Sequence, residues 1–160
     1  MSDFAKAWTL SRQRFVDEIK DLNGEQLRWK LHADSLSIGE MALHVAGIET
    51  SFGTQILDKE LTPEQAKLKR AATEGVVNSN PFPFAASEID APLVLGSLEA
   101  SKAIVEPLIT EPSPAVLTKQ IQSALGPIIT GEGAFARLSF HSAYHQGQAY
   151  LIKTSPGFPG

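Results

Sequence analysis

The chain of 160 residues contains no cysteine. That absence excludes a disulfide framework, a thiolate nucleophile and any sulfur-ligated zinc or iron–sulfur site, so a metal would have to be held by nitrogen and oxygen ligands. No apolar run approaches the roughly 18 residues that a membrane span requires, and no basic stretch leads into an apolar segment at the start, so a soluble, cytoplasmic protein with no membrane partner is expected. A basic stripe is missing as well. The 14 Lys and Arg residues are scattered among 18 Asp and Glu for a net charge of −4, which gives phosphate-backbone binding little support and makes nucleic acid an unexpected partner. Internal repeats and low-complexity tracts are also lacking. What the chain does have is 42% hydrophobic residues, enough to fill a core without staples, and one domain spanning residues 1–160 is expected.

The apolar periodicity predicts helices. Phe4, Trp8, Phe15, Ile19 and Leu22 recur at three- and four-residue steps, with a gap at Ser11 and Arg12, which reads as an amphipathic helix from Asp3 to Leu22. Asn23-Gly24 is expected to end it in a left-handed stop, and Glu25 to Ser35 reads as a connector with one short turn. Ser37-Ile38-Gly39-Glu40 has capping-box form and predicts a second helix to about Leu57. Thr62-Pro63-Glu64 opens a short, more polar helix to about Ala72. Asn78 to Phe84 contains two prolines and predicts a long loop of the kind that often lies over binding sites. A third long helix is expected from Ala91 to Thr110, and a fourth from Thr130 to Lys153. Between them, Leu117 to Ser123 fits either an extended segment or a poor helical turn, too short to build a sheet.

The last helix carries the most informative pattern. Four residues advance about 40° around a helix, so His141 and His145 share one face, and Gln148 lies about 20° from His141 on the other side. Burying two imidazoles within an apolar stretch is costly, and one metal ion satisfies both. Ordinary hydrogen-bonded core histidines are the alternative. His44, in the second helix, is the third candidate ligand, because antiparallel helices would bring it opposite the pair. His32, in the connector, reads as a surface or capping histidine. Glu40 could reach the same site, but its place in the capping box explains it. Arg137, one turn before His141, reads either as a guanidinium for an anionic ligand or as a surface side chain near Glu132 or Glu49. Gly147 is expected to permit close helix packing, and Tyr144 to be core or a pocket hydroxyl.

The segment Ser37-Ile38-Gly39-Glu40-Met41-Ala42-Leu43-His44-Val45-Ala46-Gly47-Ile48-Glu49, followed much later by His141-x-x-x-His145-Gln146-Gly147-Gln148, resembles the DinB-like superfamily. The order of elements matches over most of the chain, with residues 58 to 90 the least typical stretch. The resemblance implies an all-α four-helix bundle with up-down-down-up connections, often a homodimer, that binds a divalent metal, frequently zinc or nickel, through three histidines. By that resemblance the ligands fall on His44, His141 and His145. Characterised relatives include transferases and isomerases that use low-molecular-weight bacterial thiols, while many members have no known activity. The family name records induction by DNA damage and does not establish work on DNA.

The expected function is therefore metal-dependent chemistry on a small-molecule substrate, with three neutral ligands leaving room for water, a thiol or substrate. Thiol transfer is preferred on the resemblance alone, and with no cysteine in the chain the reacting sulfur would arrive as a cosubstrate. Gln148 is the candidate substrate-orienting or catalytic side chain. Metal-dependent hydrolysis and a noncatalytic metal- or ligand-binding role in stress response are the alternatives. Three imidazoles suit zinc, nickel, cobalt or iron, and affinity order does not choose among them.

Overall fold

The computed structural model describes residues 1–160 and is mostly helical. The long helices are α1 (Asp3–Ile19), α3 (Ile38–Ile56), α5 (Ala91–Thr110) and α7 (Gly131–Lys153), with short helices α2 (Gly24–Arg28), α4 (Pro63–Arg70) and α6 (Pro114–Thr118) between them. Gln120–Gln122 (β1) and Ile128–Thr130 (β2) pair antiparallel, with Ile121 opposite Ile129. The stretch of ambiguous periodicity is thus a helical turn followed by one arm of a hairpin. Its sheet has only two strands.

Each helix begins where a small polar side chain can accept from the first free amides. Ser37 and Glu40 form the reciprocal box expected of them, with the Glu40 carboxylate 2.7 Å from the Ser37 amide. Thr62 and Gln65 do the same for α4, and Asn23 and Gln26 for α2. Asn23 therefore starts a helix instead of closing one in a left-handed stop. Neither Asn23 nor Gly24 has positive φ, and α1 ends at Ile19, three residues before Leu22. The physical reason is a reciprocal box: the Asn23 side-chain oxygen accepts from the Gln26 amide while the Gln26 side-chain oxygen accepts from the Asn23 amide, which favours starting the next helix here. The left-handed residue after a helix is instead Asp58, with φ 49°, just beyond the end of α3.

Helix α3 is enclosed by the rest of the protein: 18 of its 19 residues are buried. A helix buried on every side needs neighbours all round, and it has α2 at its start, α4 and α5 along its flanks, α7 opposite and β1 at its end. Its one partly exposed residue, Gln55, is used as a clamp. The Gln55 side chain accepts from the Gln122 amide at 2.9 Å and donates to the Gln122 carbonyl at 3.2 Å, which fixes the hairpin to the end of α3. Helix α1 lies along α7 and α5, and its N-cap Ser2 bonds the carbonyls of Ile109 and Thr110 at the end of α5.

The apolar core divides into two clusters, one around Phe15, Leu27, Leu43 and Leu98, the other around Trp8, Phe52, Phe135 and Ile109. At the level of the division the interior is polar. Arg12 on α1, only 5% exposed, faces Glu49 on α3, 1% exposed, with Nε 3.1 Å from Oε1. The Trp8 indole donates to the same carboxylate at 2.9 Å, Ser101 of α5 donates to its other oxygen, and Arg12 also bonds the Leu98 carbonyl. The gap at Ser11 and Arg12 in the apolar pattern of α1 is where this layer passes through. Glu49 is consequently the partner of Arg12 and not of Arg137. The loop from Asn78 to Phe84 buries Phe84, as its two aromatics require, and packs Phe82 beside it with ring centroids 6.1 Å apart.

Candidate metal centre

Helix α3 supplies His44 and helix α7 supplies His141 and His145, and the three rings meet edge to face. Their centroids are 5.0 Å apart for His44 and His141, 5.2 Å for His44 and His145, and 4.7 Å for His141 and His145. One ligand nitrogen from each lies within 4.8 Å of the other two. His44 and His145 are each 4% exposed, while His141 is half-buried.

The rings are oriented from behind. His44 Nδ1 lies 2.9 Å from the carbonyl of Ala71, at the end of α4. A carbonyl only accepts, so a neutral His44 carries its proton on Nδ1 and turns a bare Nε2 toward the other two rings. This contact depends on Gly47, one turn after His44. A Cβ there would stand 2.5 Å from the Leu68 carbonyl oxygen and 2.9 Å from the Ala72 amide, so only glycine lets the end of α4 come this close to α3. His145 Nδ1 meets Gln148 Oε1 at 2.7 Å, which favours the same tautomer and leaves Nε2 bare. His145 Nε2 and His141 Nε2 are 3.2 Å apart, close to the separation of about 3.3 Å for two nitrogens sharing a zinc at 2.0–2.1 Å bonds. His141 Nδ1 is buried without a partner, so nothing behind this ring orients it as the Ala71 carbonyl and Gln148 orient the other two.

All three imidazoles are held neutral. Burial first, then the neighbouring His145 and His44, pushes His141 down to about 2. Burial, with His44 beside it, pushes His145 down to about 4 against the opposing Gln148 contact. Burial also lowers His44, opposed by the Ala71 carbonyl. A neutral imidazole is the form that binds a metal, so the donor set and its electrostatics fit a divalent cation.

The trio borders a cavity of about 610 Å³, within the usual size for a small-molecule site. Its walls are mainly apolar, including Met41, Ile48, Phe52, Val77, Leu125 and Phe140. Gln148 and Arg137 also line it, and Arg137 donates to the Gly133 carbonyl at 2.9 Å. Arg137 thus combines both readings of its position, lying along its own helix while facing the cavity. His32 is exposed and stands at the cavity edge, its carbonyl accepting from Ser35. Tyr144 is 59% exposed and so is not core, but it lines the cavity and sets its ring against His145 at 5.1 Å. Glu40 is taken by the Ser37 amide and by Lys30 at 2.9 Å. Gly147 is exposed with nothing within 4 Å of an added Cβ. The expectation of close packing there is overturned, because this face of α7 has no neighbour. The sequence reading also missed the Ala71 carbonyl and the hairpin residues Ser123, Ala124 and Leu125 in the cavity wall. A backbone carbonyl leaves no residue-type signal, and a hairpin of ambiguous periodicity does not announce where it folds back.

A family model of the DinB superfamily matches residues 7–149. The chain belongs to the DinB superfamily. The match takes in both histidine segments, all of α3 and α5 and most of α1 and α7. No match was found among curated proteins or among solved structures. No helix of this DinB-superfamily chain is long and apolar enough to cross a membrane.

Proposed function

We propose that this chain is a metal-dependent enzyme in which His44, His141 and His145 hold a divalent cation, zinc or nickel before iron or cobalt, and that it transfers a thiol to a small electrophilic substrate. The observation that carries the reading is the convergence of three neutral imidazoles, two with proton positions set from behind, beside a largely apolar cavity. When bound, a divalent cation in such a site supplies the positive charge that holds a thiol as thiolate or lowers the pKa of a water. The chain's own contribution is to keep the three donors deprotonated and to exclude bulk water with apolar walls. Gln148, fixed on His145, is assigned the role of orienting that ring and the substrate beside it.

Thiol transfer is preferred over hydrolysis on the family resemblance, since a cation held by three neutral histidines would activate a bound water as well as a bound thiol. With no cysteine in the chain, the sulfur comes from a low-molecular-weight cosubstrate. The contacts of α1 with α7 and α5, and of α3 with α5 and α7, support one four-helix bundle domain over residues 1–160 with up-down-down-up connections. A homodimer and a cytoplasmic location belong to the same reading.

The test begins with elemental analysis of protein made without a nickel column, beside His141→Ala. Near-equimolar metal that is lost in the variant supports the centre. The metal-loaded protein is then offered bacterial thiols with electrophilic acceptors, and simple esters and amides. Turnover with thiols alone supports the transferase, turnover with esters makes it a hydrolase, and none above free metal leaves a binding protein.

A further inference from the structure

We infer that the cavity takes a predominantly apolar small molecule bearing one carboxylate, and that Arg137 is the residue that selects the carboxylate. The inference deepens the proposed function by naming a substrate class, and it rests on that reading only for which end of the molecule reacts.

Of the 18 residues lining the cavity, Arg137 is the only permanently charged one, and neither Asp nor Glu is among them. Its guanidinium makes one hydrogen bond, from Nη1 to its own helix at Gly133, and takes part in none of the protein's ion pairs. The contrast with Arg12 is instructive, since that guanidinium is buried and fully engaged by Glu49, Glu99 and Leu98. Arg137 keeps Nη2 and Nε, the paired donors that match a planar carboxylate, and it is half-buried against apolar walls that strengthen such a contact. A ligand wholly apolar would leave that charge facing a dry wall, and a highly charged one would lie against Leu125, Phe140 and Val77, which are 74%, 60% and 43% exposed at the rim. An apolar body with a single anionic end satisfies both surfaces.

Arg137 and His141 are one helical turn apart on α7, and the Arg137 side chain reaches back to the Gly133 carbonyl, away from the histidine trio.

Titration of the zinc-loaded and metal-free proteins with 4-phenylbutyrate, 4-phenylbutan-1-ol and butyrate, followed by NMR shifts, tests this. The expected result is that 4-phenylbutyrate binds about tenfold tighter than either the alcohol or butyrate. In Arg137→Gln the preference over the alcohol falls to about twofold or less, and Arg137→Lys keeps part of it. Both variants are checked for unchanged zinc content and thermal midpoint, so that the loss is assigned to the guanidinium. A carboxylate preference that survives in Arg137→Gln, with or without zinc, overturns the inference, as does failure of all three probes to bind. If the protein takes up no zinc, the proposed chemistry fails, while a carboxylate preference in the metal-free protein still upholds the role of Arg137.

Discussion

His44 and the carbonyl of Ala71 stand 2.9 Å apart because Gly47, one turn further along α3, offers no side chain to the end of α4. The tautomer of a candidate metal ligand is thereby tied to a close approach of two helices. Gly47→Ala would drive a methyl into backbone atoms that no rotamer can move aside. The expected cost is about 1–3 kcal/mol of stability from overpacking, together with a loss of about 10–100-fold in zinc affinity as the hydrogen bond behind His44 is broken. Gly147→Ala is the matched control on α7, where the added methyl meets open space, and it should bind zinc normally and gain up to about 1 kcal/mol in helix propensity. Chelator-competition titrations and urea midpoints measure both. Normal zinc binding by Gly47→Ala would show that the Ala71 contact does not matter.

The depressed histidines predict how the metal-free protein responds to acid. In the unfolded chain the imidazoles take up protons near the ordinary value of about 6.5, whereas in the folded protein His145 does so only at about 4 and His141 at about 2, with His44 also lowered. The unfolded state therefore binds more protons between those values. Stability is fully present above about pH 6.5 and falls as pH drops, by up to about 1.4 kcal/mol per pH unit for each histidine. The contribution of His145 stops falling near its folded value. Carboxylates add their own acid loss below about pH 5, so the informative quantity is the difference from His141→Phe/His145→Phe. Urea midpoints from pH 7.5 to 5 should fall more steeply for the wild type, and parallel curves would refute the assignment.

Much of this was legible in the chain. His141, His145 and Gln148 declared themselves because a helix repeats every 3.6 residues, and the capping residues Ser37, Thr62 and Thr130 mark helix starts where the structure has them. Local chemistry acts over three or four residues and is written in residue type. What lay beyond reach was set by distant partners. Arg12 looked like a flaw in an amphipathic stripe because its counter-charge is 37 residues away at Glu49. Gly47 and Gly147 are the same residue type on two helices, one wedged against α4 and the other open to solvent, and nothing local tells them apart. The folding of the hairpin against Gln55 likewise depends on a pairing 67 residues apart in sequence.

Gln148 should act through His145. Its Oε1 accepts from the ring at 2.7 Å, so Gln148→Leu removes the acceptor while roughly preserving size. The expected result is zinc affinity about 10–100-fold weaker with little change in fold. Gln148→Glu, which retains an acceptor and adds charge, should restore much of that affinity. Competition titrations with a chromogenic chelator distinguish the two, and equal zinc affinity in Gln148→Leu and wild type would remove Gln148 from the metal centre.

The buried Glu49 carboxylate gathers Trp8, Arg12 and Ser101 from two other helices, and its removal is the sharpest stability test. Glu49→Leu leaves the Arg12 guanidinium buried with its principal counter-charge gone, at an expected cost of about 3–5 kcal/mol. Replacing both partners, as Arg12→Met/Glu49→Leu, removes the desolvation penalty together with the attraction and should recover most of that loss. Urea unfolding of the wild type, both single variants and the double variant gives the coupling directly. A double variant as unstable as the sum of the singles would mean that Arg12 and Glu49 do not depend on one another. Because neither Arg12 nor Glu49 lines the cavity, the double variant should hold zinc as the wild type does, which separates the stability of the fold from the chemistry of the site.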